Sequence, residues 1–243
     1  MIVFFRFILL PRSIKVFDLT RPSQNKKSQT SIVDVYPVNA VCCHPCGDFV
    51  LAGTLLHRVI RMYDIHTLQC FSAYDNQHHH KSGGINGLTC SDDGKAFASA
   101  GQDCQVILWD AVSNSMVNSI KLAKAAYSVQ FSRSGKYLLT SSADGIARLF
   151  DLRTGKQLQL YSSGCSSVES MFACMSCQER FVATGVCGGG GGDVQFFDAF
   201  TGSLLVKKSG LHVSGVRSGC ASPIDSTFIS GGDDTKIRFA ELK

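Results

Sequence analysis

The sequence predicts an all-β fold made of repeated four-stranded units. Three observations carry that expectation. An aromatic residue followed by an acidic one closes an alternating apolar stretch again and again along the chain, short strand-like runs separated by turn residues fill the intervals, and no segment holds a helical period for long.

Residues 1–13 are atypical. "MIVFFRFILL" is apolar at nine of its ten positions, but Arg6 interrupts it, Pro11 follows, no small-residue cleavage site appears, and the run is about half of the ~20 residues a membrane helix needs. No membrane role is expected, and the segment is expected to stand where part of a β unit belongs. From residue 14 the repeat takes over. Its closures are Phe17-Asp18, Tyr63-Asp64, Trp109-Asp110, Phe150-Asp151 and Phe197-Asp198, with a degenerate copy at Glu241, so repeats end near 18, 64, 110, 151, 198 and 241. Steps of 46, 46, 41, 47 and 43 residues, each with several short strands, fit the blades of a β-propeller. Residues 84–122 read as four runs parted by Asp-Asp-Gly, Gly-Gln-Asp and Val-Ser-Asn turns, and 125–161 repeat the design. The expectation is a propeller over 14–243 with five recognisable four-stranded blades plus a partial N-terminal blade.

Composition narrows the function. With 243 residues, 44% apolar and 18% charged, the chain can bury one large core and lacks the bias of a disordered protein. The net charge of +5 is dispersed, with Lys26-Lys27 and Lys207-Lys208 as doublets, so a dedicated nucleic-acid stripe is not expected. Eleven cysteines, an odd number scattered with no secretion tag around them, imply reduced thiols inside a cell. Cys43-His44-Pro45-Cys46 and Cys174-Met175-Ser176-Cys177 belong to repeats that are not neighbours, so they are not expected to share a zinc ion. "CGGGGGD" (187–193) lacks the lysine and helix of a phosphate cradle and reads as a hairpin insertion. His78, His79 and His80 are consecutive loop residues that converge poorly on a metal. No cofactor, metal or small-molecule substrate is expected.

The repeats resemble those of the WD-repeat family. That resemblance implies a side-chain chain inside each blade: a His ahead of the inner strand, a Ser or Thr on the second strand, an Asp in the next turn and a Trp on the third. His80, Ser99, Asp103 and Trp109 match all four places. Thr140 and Asp144 keep the spacing ahead of Phe150 without a clear His, His212, Ser230 and Asp234 keep it with Ala240 at the aromatic place, and His57 holds the Asp place before Tyr63. A His-Ser-Asp set invites a hydrolase reading. A set copied and eroded along the chain suits packing instead, and no catalytic residue is expected.

Within that family, "YDIHTLQCF", "LWDAVSN", "HVSGVR" and "GGDDTKIRF" resemble the WD-repeat subunits of the cleavage stimulation factor. The resemblance implies a non-enzymatic scaffold in pre-mRNA 3′-end cleavage and polyadenylation, located in the nucleus, with other subunits of that factor as protein partners. The alternative is a WD-repeat adaptor of another complex, such as a ubiquitin ligase receptor. The resemblance also implies more blades and an N-terminal self-association domain. An abbreviated sequence, in which the first ten residues replace lost ones, is therefore expected over a reduced protein that closes differently. Arg58, Gln102, Cys104, Gly145 and Lys236 are the expected binding rim, beside the His loops. Its mild basicity suits an acidic peptide or RNA contact, but it has no stacking platforms for a dedicated RNA reader.

Overall fold

The computed structural model describes residues 5–10, 12–18, 30–56, 59–74, 80–164, 170–187, 192–222 and 227–241. Every regular element among them is a β-strand. The first sheet holds β1 (Phe5–Leu10), β2 (Ser13–Asp18) and β3 (Thr30–Val33); the second β4 (Val38–Cys43), β5 (Phe49–Thr54), β6 (Ile60–Asp64) and β7 (Cys70–Tyr74). The third holds β8 (Ile85–Cys90), β9 (Ala96–Gly101), β10 (Gln105–Asp110) and β11 (Ser115–Lys121), and the fourth β12 (Ala126–Phe131), β13 (Tyr137–Ser142), β14 (Ile146–Asp151) and β15 (Gln157–Ser162). The fifth holds β16 (Ser170–Met175), β17 (Phe181–Cys187), β18 (Gly192–Asp198) and β19 (Leu204–His212), and the sixth β20 (Val216–Ala221), β21 (Thr227–Gly232) and β22 (Ile237–Glu241).

Each sheet is a meander in chain order, the build of a propeller blade. Four sheets have four strands, and the last, expected to have four, has three among the described residues. The first ten residues supply β1, which pairs with β2 from Phe5↔Asp18 to Leu10↔Ser13. The acidic residues of the repeat end the third strand of their sheets: Asp64 ends β6, Asp110 β10, Asp151 β14 and Asp198 β18. Their carboxylates then cap the next turn. Asp110 Oδ1, for example, accepts the N–H groups of Val112 and Ser113 at 2.8 Å.

The chain forms two compact units, Met1–Ile120 and Lys121–Lys243, where sequence suggests one domain over 14–243. Each unit collects its own cores. In the first, Leu51, Ile60, Ile85, Ile107, Phe97 and Trp109 pack together, and Ile14, Val16 and Ile32 pack against Val50 and Tyr63. In the second, Tyr161 and Phe197 join Leu139, Leu149 and Met171, while Phe172, Phe196 and Phe228 form another cluster.

Candidate functional site

The polar groups with the most specific geometry lie inside the sheets. In the third sheet, β9 delivers Ser99, the β9–β10 turn Asp103, β10 Trp109, and the loop before β8 His80. His80 Nδ1 is 2.9 Å from Asp103 Oδ1, its Nε2 is 2.9 Å from Ser99 Oγ, and Trp109 Nε1 donates to Ser99 Oγ at 2.9 Å. One proton arrangement satisfies every atom: the indole N–H and the Ser99 hydroxyl both point along the chain toward His80, whose Nδ1–H donates to Asp103. Asp103 Oδ2 also accepts the Lys81 N–H at 2.8 Å. Burial pushes the Asp103 carboxyl up, but the His80 hydrogen bond and the N–H groups of Lys81 and Gln105 outweigh it and hold the pKa below the usual carboxylate value. Trp109 stacks on Phe97, with centroids 5.7 Å apart and planes within 7°, and meets Tyr74 edge to face.

This connectivity is that of a hydrolase triad, but Ser99 is 0% exposed and its oxygen is already engaged by the indole. No substrate carbonyl reaches it. The arrangement is a buried polar device that locks the sheet's strands together.

The sixth sheet repeats it: His212 Nδ1 meets Asp234 Oδ1 at 2.9 Å and Nε2 meets Ser230 Oγ at 2.8 Å, without an indole donor. The His212 hydrogen bond, aided by the N–H groups of Lys236 and Val213, holds the Asp234 pKa at about 2 against the effect of burial. A shared steric condition makes both histidines possible. A Cβ on Gly101 would lie 2.4 Å from His80 Nδ1 and 2.5 Å from Asp103 Oδ1, and one on Gly232 would lie 2.5 Å from His212 Nδ1. Only glycine at the end of the second strand leaves room for the ring.

The fourth sheet departs from the spacing-based expectation. Thr140 is buried but its hydroxyl has no partner, because the loop before β12 brings no histidine and the Phe150 ring has no N–H to give. Ser142, at the place of Gly101, takes over. Its Oγ donates to Asp144, and Arg148 reaches across from β14 to Ser142 Oγ at 2.7 Å and to Asp144 Oδ2 at 2.5 Å. A guanidinium replaces the imidazole.

The second sheet shows a third solution, which the sequence reading missed. Asp34, in the loop before β4, accepts from the Tyr63 hydroxyl at 2.7 Å, from the Tyr36 N–H at 2.9 Å and from Arg61. Its carboxylate is fully buried. Burial, then the hydrogen bond and charge of Asp34, push the Tyr63 hydroxyl pKa up. The available signal was Thr54, with Ser142 the second case of a hydroxyl residue at the place where the histidine sheets carry glycine.

The expected binding rim is only partly a surface. Arg58, with His57, His78 and His79, lies outside the described residues, as do 188–191 of the glycine run. Gln102 is exposed, with Oε1 accepting the Gly84 N–H at 3.3 Å, and Lys236 is exposed in the β21–β22 turn. Gly145 is buried, and its carbonyl accepts the Ser163 N–H at 2.9 Å, so it offers no exposed surface at the rim. It has φ +76°, and Cys104 and Thr235 hold the equivalent place at +64° and +59°. Cys43 and Cys46 lie in the second sheet's first hairpin and Cys174 and Cys177 in the fifth's, and among the described residues no three metal-ligating side chains cluster.

The family model "WD domain, G-beta repeat" matches residues 69–110 and 116–151. The chain is similar to cleavage stimulation factor subunit 50 of Arabidopsis thaliana, 29% identical over 93% of this chain and 52% of the plant protein. It is similar to eukaryotic translation initiation factor 3 subunit I of Eremothecium gossypii, 27% identical over 83% of this chain and 64% of that protein. WD repeat-containing protein 1 of Xenopus tropicalis is 25% identical over 43% of this chain and 18% of its own length. The chain thus spans about half the length of the plant subunit. Residues 69–110 and 116–151 are thus WD repeats, and the sheets on either side of them share the meander build of propeller blades.

Proposed function

We propose that the chain is a non-enzymatic docking scaffold of the machinery that cleaves and polyadenylates pre-mRNA 3′ ends, acting in the nucleus with other subunits of the cleavage stimulation factor. The likeness to the plant subunit over 93% of the chain carries this reading. The turns after the aromatic-Asp closures, "YDIHTLQCF" and "LWDAVSN", support it, because such turns are free to vary without cost to the blade. The buried His, Ser and Asp groups support a scaffold over an enzyme, since they are spent on holding strands. A second reading, a WD-repeat adaptor of another complex, is favoured by the likeness to initiation factor 3 subunit I over 83% of the chain.

A tagged pull-down from nuclear extract at native expression, with partners identified by mass spectrometry, separates the two. Recovery of cleavage and polyadenylation subunits is the expected result. Recovery of initiation factor or ligase subunits by a folded chain replaces the first reading with the second.

A further inference from the structure

The turns that follow the first and third strands in the second unit form a basic cleft. Arg133 and Lys136 come from the β12–β13 turn, Arg153 and Lys156 from β14–β15, and Arg180 from β16–β17; all five are exposed. The turns are tied together: Leu152 N–H donates to Lys136 O at 2.9 Å, and Ser134 N–H donates to Glu179 Oε1 at 2.7 Å. Between the β12–β13 and β14–β15 turns lies an open cleft of about 580 Å³ lined by Gly135, Lys136, Tyr137, Asp151, Leu152 and Arg153, with the β16–β17 turn beside it through Glu179. Phe200, 48% exposed, stands against Tyr137 with centroids 5.6 Å apart.

No cation of the five forms an ion pair among the described residues. Three carboxylates stand nearby, each held by a backbone N–H: Asp151 caps Arg153 N–H at 2.8 Å and also feels the Arg153 charge, Glu179 holds the Ser134 N–H, and Asp198 caps Thr201 N–H at 2.8 Å, so the cations outnumber them. The charge is no by-product of the repeat. The matching turns of the second and third sheets carry Asp48, Asp92 and Asp93, with Lys95 as their only Lys or Arg. Clustering like charges costs stability through mutual repulsion, and a cleft with this excess of positive charge favours an anionic occupant.

We propose that this cleft docks an acidic peptide segment whose Asp and Glu carboxylates pair with Arg133, Lys136, Arg153, Lys156 and Arg180 while one apolar side chain sits against Phe200. The inference rests on the scaffold reading and supplies its partner chemistry. The arginine forks match carboxylates bidentately. One half-exposed ring beside a half-buried one gives an anchor for a single side chain, and successive bases of a nucleic acid would need a row of free ring faces.

The probe is a short fluorescein-labelled peptide of Glu and Asp around one Leu, titrated with the full chain and followed by anisotropy at low and raised salt. The Lys136→Glu, Arg153→Glu pair is expected to weaken binding about tenfold or more, and Lys136→Gln, Arg153→Gln by less. Phe200→Ala should weaken binding without changing its salt dependence, and Lys95→Glu, in the matching turn of the other unit, should leave it unchanged. Circular dichroism establishes that each variant is folded. Equal binding by the charge-reversed chain overturns the proposal, as does tighter binding of a uridine oligonucleotide that is lost in the same variant. If the peptide fails to bind while the pull-down still recovers a complex, the cleft assignment falls and the scaffold reading stands.

Discussion

Ser99 and Thr140 occupy the same place in neighbouring repeats and are buried alike, yet one hydroxyl has two partners and the other none. Their substitutions should therefore differ in sign. Ser99→Ala removes the Oγ that Trp109 N–H and His80 Nε2 share and is expected to cost about 1–3 kcal/mol in urea denaturation, whereas Thr140→Val removes an unpaired polar atom and should leave stability equal or slightly higher. Asp234 adds a pH dependence. Its pKa is about 2 when folded against a reference of 3.8, so the unfolded chain takes up the proton first as pH falls. The carboxylate's contribution is present above about pH 4 and is lost as pH falls through about 2. Urea titrations across that window should show a shallower acid loss in Asp234→Asn than in the unaltered chain.

At the scale of the element, the link between strand end and loop is the useful rule. Glycine ends the second strand where the preceding loop brings a histidine, and Thr54 or Ser142 ends it where the loop does not. Gly101→Ala is expected to cost about 1–3 kcal/mol by crowding His80 and Asp103, and combining it with His80→Ala should cost less than the two changes summed. A double-mutant cycle by chemical denaturation reads this directly; strict additivity would rule the steric link out.

The same rule marks what the sequence makes legible. Strand class, turn positions and the Ser99, Asp103, Trp109 spacing follow from local pattern, because each depends on residues close in sequence. Arg61 and Arg148 are opaque to that reading. Both sit at positions of an alternating strand where a solvated cation is ordinary, and only the absence of a histidine in the fold turns them inward. Thr140 misleads for the converse reason, since its spacing is right but its partners lie in a loop that lacks them.

Across the whole molecule, the second unit carries two unlike surfaces. One is the basic cleft. The other is the outer strand β22, where Ile237 and Phe239 are 64% and 70% exposed and no fourth strand covers the edge among the described residues. A bare apolar edge recruits other strands. The chain alone is expected to self-associate as its concentration rises, and Phe239→Lys should reduce that association in sedimentation measurements while leaving the peptide affinity of the cleft unchanged.

The polar networks have a consequence for how such a chain changes over generations. The histidine, arginine and aspartate solutions each close within one sheet and the loop that enters it, so a loss in one repeat can be repaired there without a matching change elsewhere. Neighbouring repeats can then diverge at separate speeds while sharing one backbone. A single chain comes to hold several versions of the same network, and the family model still matches 116–151, where an arginine has taken the place of the histidine.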